Sequence, residues 1–81
     1  MAGFAKTEAE IADRISRFLK AELKRAGVTY DGLAERLSKH GVKGETADSI
    51  KAKLKRGTFP ATFLLASLAA LEMDGLSLED V

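Results

Sequence analysis

Apolar residues recur along this chain every three or four positions, and no stretch alternates in the two-residue rhythm of a half-buried strand. The spacing predicts helices. The first begins at Thr7 as N-cap, with Glu10 three residues on to complete a capping box. Its stripe is Ile11, Ile15, Phe18, Leu19, Leu23 and Ala26, and Gly27 ends it behind the basic pair Lys24 and Arg25. A second helix starts at Thr29, buries Leu33, Ala34 and Leu37, and closes at Gly41, so that Val42 folds back on Leu37. A third runs from Thr46 to Gly57 and turns only Ala47, Ile50 and Leu54 inward.

The fourth helix opens with Pro60 at its first position, where a missing N–H costs nothing, reaches Glu72 or Met73, and is closed by Gly75. Ser77 caps a last turn. The pattern gives an all-α fold of four to five short helices, one domain over 1–81, with 1–6 as a flexible N-terminal arm. The fourth helix differs from the others because Phe63, Leu64, Leu65, Leu68 and Leu71, with Ala66, Ala69 and Ala70, cover most of its circumference. A helix apolar all round is either central in a core or shared with another molecule. Those five residues are the expected homodimer interface, with Phe4 and Phe18 as possible additions.

At 81 residues the chain holds one modest core, burying roughly 60–65% of its unfolded surface, and leaves little room for a deep substrate pocket. It has no cysteine, which excludes disulfides and thiolate zinc sites and fits a reducing compartment. No secretory leader is visible, and the longest apolar-rich run, Phe59 to Leu71, is too short to span a bilayer. The expectation is a cytoplasmic protein without membrane contact. Net charge is +1, but it is unevenly placed. Residues 1–35 balance to zero, residues 36–56 carry +5, and residues 57–81 carry −4 with no Lys or Arg. That segregation points to a polyanionic partner.

The function-bearing unit is Thr29-Tyr30-Asp31-Gly32-Leu33-Ala34-Glu35-Arg36-Leu37, then the basic third helix, then Lys55-Arg56-Gly57, with Pro60 and Phe63-Leu64-Leu65 beyond. This arrangement resembles the helix-turn-helix of phage repressors and Cro-like regulators over about residues 18–81. The whole stretch is similar to a group of short bacterial helix-turn-helix-like proteins of unassigned function. The resemblance implies a lambda-repressor-like bundle whose third helix enters DNA. One departure is plain: Ser38 to Glu45 lengthens the second helix and the turn by about seven residues, and Ile50 and Leu54 are four apart where three is usual.

The chemistry of the residues points the same way. A helix lent few core residues offers its outer face to a major groove about 12 Å wide. Thr46 and Ser49 lie at its N-terminal end, where such helices meet base edges. Lys51, Lys53, Lys55 and Arg56, with Lys43 just before, suit phosphates, and Thr29 adds a helix start. Asp48 has two readings: acceptor for a cytosine amine, or stabiliser of its own helix N-terminus, the second needing no DNA.

His40 lacks a metal or catalytic partner and sits at a helix end, where dipole stabilisation accounts for it. Tyr30 reads as half-buried packing. Glu72, Asp74, Glu79 and Asp80 do not follow the ligand order of a calcium loop. Without a phosphate loop, a Ser-His-Asp set or a Cys-His pair, the chain is expected to be no enzyme, with no cofactor and no small-molecule substrate. The function expected is double-stranded DNA binding by a dimeric regulator. Its rival is a protein-interaction module on the same scaffold.

Overall fold

The computed structural model describes residues 4–81. Among them are four helices and no strand: α1 Glu8–Ala26, α2 Tyr30–Lys39, α3 Ala47–Arg56 and α4 Ala61–Ala70. Residues 1–3 of the expected arm lie outside the described residues. Phe4 is half-covered, its ring 5.9 Å beneath the Arg14 guanidinium.

The first three helices start on threonine side chains, each of which accepts an otherwise unpaired N–H of the first turn. Thr7 accepts from Glu10 at 3.1 Å, Thr29 from Gly32 at 3.0 Å, and Thr46 from Ser49 at 3.1 Å. The reciprocal capping box forms at α3, not at α1. Ser49 Oγ accepts the Thr46 N–H at 2.8 Å, whereas the Glu10 carboxylate accepts from Lys6.

α2 closes as the sequence predicts. Gly41 takes φ +86, Val42 N–H donates to the Leu37 carbonyl at 3.0 Å, and Val42 packs on the core. α4 departs from expectation at both ends. Pro60 is its N-cap instead of its first helical residue, and the left-handed residue that closes it is Glu72 (φ 59), not Gly75. Met73 N–H donates to Leu68 O at 2.9 Å, so the helix stops where Leu71 and Met73 can both fold onto the core. Ser77 caps a single turn, accepting from Glu79 at 3.2 Å.

Leu19, Leu23, Leu33, Leu37, Ile50, Leu54, Phe63 and Leu68 form one buried cluster drawn from all four helices. α3 packs on both α1 and α2, and α2 also packs on α4. Ser16 is buried in the α1–α3 seam, its hydroxyl donating to Leu54 O at 2.5 Å. Arg36 reaches across to donate to Ala70 O at 3.0 Å, satisfying one of the open carbonyls at the end of α4. The ends of the predicted α1 stripe lie outside the core: Ile11 and Ala26 are exposed, because the bundle covers the middle of this 19-residue helix.

The dimer face expected on α4 is divided between the core and the surface. Phe63 and Leu68 are 2% and 5% exposed. Leu64 and Leu71 are half-covered, and Leu65 alone of the five is open, at 65%. The cover comes from the chain itself. α2 lies against α4, and Phe59, Met73 and Leu76 from the flanking segments pack on the same core, while Leu65 stays uncovered. None of the helices is long and apolar enough to cross a membrane, among the described residues.

Candidate nucleic-acid interface

α3 buries Ile50 and Leu54, which are four residues and therefore about one turn apart. At about 100° per residue, the opposite face carries Asp48, Ala52, Lys55 and Arg56, with Lys51 and Ser49 on its flanks. Asp48, Lys51, Ala52, Lys55 and Arg56 are exposed. Lys43, in the preceding turn, is exposed as well. Among the described residues none of these cations enters an ion pair. The helix is held from beneath at both ends. The N-terminal end is fixed by its capping box, and the C-terminal end by Gly57, which is buried against Ala12 of α1.

Gly57 is the one position where the interface depends on the absence of a side chain. Its φ is +73, and a Cβ there would overlap the Ala12 backbone carbonyl. The end of α3 that carries Lys55 and Arg56 therefore rests directly on α1 backbone.

Lys53 does not stand with the other cations. Its ammonium lies 3.1 Å from a Glu45 carboxylate oxygen and 5.7 Å from the centre of the Phe63 ring. Glu45 and Lys53 keep only 13% and 21% of their side chains exposed, so this pair is half-buried and already neutral. Ser49 is engaged in the same cluster, donating to Glu45 Oε1 at 2.6 Å while accepting from Thr46 N–H. The sequence-predicted set thus divides. Lys43, Lys51, Lys55 and Arg56 are open. Thr29, Thr46 and Ser49 are occupied as helix caps, and Lys53 is removed by its carboxylate partner.

Glu45 is the residue that sequence reading passed over. The signal was present in its spacing: Glu45, Ser49 and Lys53 are four apart along one edge of α3, a ladder that brings an acid over the helix start and onto a lysine two turns away. It also pins the lengthened turn, His40 to Thr46, onto α3. A helix-turn-helix commonly joins its helices through a turn of about 3–4 residues. Here the longer connection is ordered by Gly41 at one end and by the Glu45 cluster at the other.

No curated protein and no solved structure matches the chain. A family model does match, over residues 11–76, from Ile11 in the first turn of α1 through the other three helices to Leu76. The chain belongs to that family, described as Domain of unknown function (DUF6471).

Proposed function

We propose that this domain binds double-stranded DNA through the outer face of α3, as the helix-turn-helix module of a cytoplasmic regulator. One observation carries the reading. Among the described residues, Lys51, Lys55 and Arg56 stand exposed and unpaired on a helix that packs against two others. Uncompensated cations on a supported helix are what phosphate contact requires, and such contacts supply most sequence-independent affinity. Asp48 and Ala52 lie between them, the first able to accept from a cytosine amine and the second to meet a thymine methyl. Pairing into a homodimer would use Leu65, the large hydrophobic side chain left open on α4, since Phe63 and Leu68 are spent inside the fold.

Titration of labelled mixed-sequence duplex at several salt concentrations tests the reading. Three phosphate contacts predict a slope of log K against log salt of about −2.7 per chain. The Lys51→Ala, Lys55→Ala and Arg56→Ala triple variant should lose that binding and keep its melting temperature. Affinity indifferent to salt, or undiminished in the triple variant, removes the phosphate contacts. The pinned, lengthened turn favours a second reading, a protein-interaction module, and a folded protein with no duplex binding at low salt selects it.

A further inference from the structure

The acidic end of the chain has no part in the function proposed above. Glu72, Asp74, Glu79 and Asp80 are all exposed, and none enters an ion pair among the described residues. Glu79 and Asp80 follow Leu78, one of the large hydrophobic side chains left exposed, at 46%. Ser77 holds this turn in shape, its hydroxyl accepting Glu79 N–H at 3.2 Å and its carbonyl accepting Asp80 N–H at 2.9 Å. Arg14 and Arg17 border the same end of the chain. Arg14 donates to Val81 O at 3.4 Å and Arg17 pairs with Asp13, so neither neutralises Glu79 or Asp80. The result is an ordered knob, an open leucine with two free carboxylates.

The opposite chemistry surrounds Leu65, exposed at 65%. The turn at residues 40–43 meets Thr62, Leu65 and Ala66 around a hollow of about 670 Å³. Lys39 and Lys43, on either side of that turn, are exposed and unpaired, and no acid lines the hollow, among the described residues. One chain thus carries an apolar knob bordered by carboxylates and an apolar hollow bordered by ammonium groups, complementary in both respects. We propose that copies of this chain associate head to tail. The Leu78 turn of one copy sits in the Leu65 hollow of the next, with Glu79 and Asp80 facing Lys39 and Lys43. Used reciprocally the contact closes a dimer, and used once per copy it continues as a chain. It rests on the homodimer part of the reading above, to which it gives two unlike surfaces, and it involves no DNA. One leucine against another with a few exposed charges is a small contact, short of the roughly 800 Å² per partner of a standard interface. Association therefore belongs to high micromolar and millimolar concentrations.

The two surfaces can be disabled separately. Leu65→Glu spoils the hollow and leaves the knob, whereas Leu78→Lys spoils the knob and leaves the hollow. Both positions are open to solvent, so both variants should fold. Thr62→Glu, and Glu79→Lys combined with Asp80→Lys, do the same should either not. In sedimentation equilibrium up to millimolar concentration at low salt, the wild type should associate, less so as salt is raised, and each variant should stay a monomer. Lys43→Glu should weaken wild-type association by at least the two- to fivefold or so of one exposed ion pair. Mixing the two leucine variants should restore a single contact. In isotope-labelled Leu65→Glu the amides of Ser77 to Asp80 should shift when unlabelled Leu78→Lys is added, and stay in place when unlabelled Leu65→Glu is added instead. A symmetric pairing of α4 with α4 would not be rescued by mixing. No duplex is present, so the result is independent of the salt titration against DNA. A wild type that remains monomeric at millimolar concentration, variants that still associate, or a mixture that behaves as its separate components would overturn the proposal.

Discussion

α3 and α4 are equal in length, ten residues each, and are held by opposite means. α3 is secured locally. A threonine and a serine cap its start reciprocally, a glycine closes it, and basic residues fill its last turn where the helix dipole favours them. It needs only Ile50 and Leu54 from the core, and most of its surface stays free. α4 has no side-chain cap at its start, no charged residue in its first or last turn, and a glutamate where a glycine would serve better. Tertiary contact holds it instead. It buries Phe63, Ala66, Ser67, Leu68 and Ala70, and Arg36 of α2 closes its last turn. An element that keeps itself folded can leave its outer face for a partner, whereas one that depends on burial keeps only what the core leaves over. This is the physical basis for proposing α3 as the DNA-binding element.

The comparison can be broken most forcefully at α4. Phe63→Ala should cost about 3–5 kcal/mol, since the ring is buried and also stacks edge-on against Phe59 at 5.1 Å. For a domain of this size that is most of its stability. A chemical-denaturation curve with an unchanged midpoint would show that Phe63 does not tie α4 into the core.

Next in size is the seat of α3. Gly57→Ala combines a left-handed backbone with overlap against α1, for a loss of roughly 2–4 kcal/mol. Unlike a core truncation, it should displace α3 from α1. Amide exchange protection ought to fall around Leu54 and Ser16 before it falls in α2, and uniform loss would contradict a local seat.

At the N-terminal end of α3, Glu45→Gln removes a half-buried charge pair and should destabilise by about 1–2 kcal/mol. It also releases Lys53. If the domain binds duplex as proposed, the salt slope should steepen by about 0.9, one phosphate more. An unaltered slope with normal binding would show that Lys53 stays on Phe63 even without its carboxylate.

The smallest effect expected is a gain. Glu72→Gly relieves a non-glycine residue at φ 59, and the melting temperature should rise by the equivalent of about 0.5–1 kcal/mol, less whatever the glycine adds to unfolded-state entropy. A fall would mean that the Glu72 side chain has a role beyond the turn.

The candidate interface was only partly legible. Lys43, Lys51, Lys55 and Arg56 are exposed as the helical spacing implies, because facing is a local property once two core residues define the wheel. Lys53 was assigned to phosphate with them, and its pairing with Glu45 emerges only when the turn folds back. Thr46 and Ser49 were read as base contacts. The same local chemistry that makes them good caps is what occupies them.

By itself the sequence determined the all-helical class, the three threonine starts, the glycine ends of α1, α2 and α3, and the inward face of the middle helices. Each rests on contacts within about four residues, which any window of the chain contains. Tertiary structure alone decided how much of α4 the chain itself covers, that Glu72 closes it, and that Glu45 pairs with Lys53. An apolar circumference states how much must be covered but not by what. The cover here is α2 and the chain's own flanking segments, brought together from positions as far apart as Arg36 and Ala70.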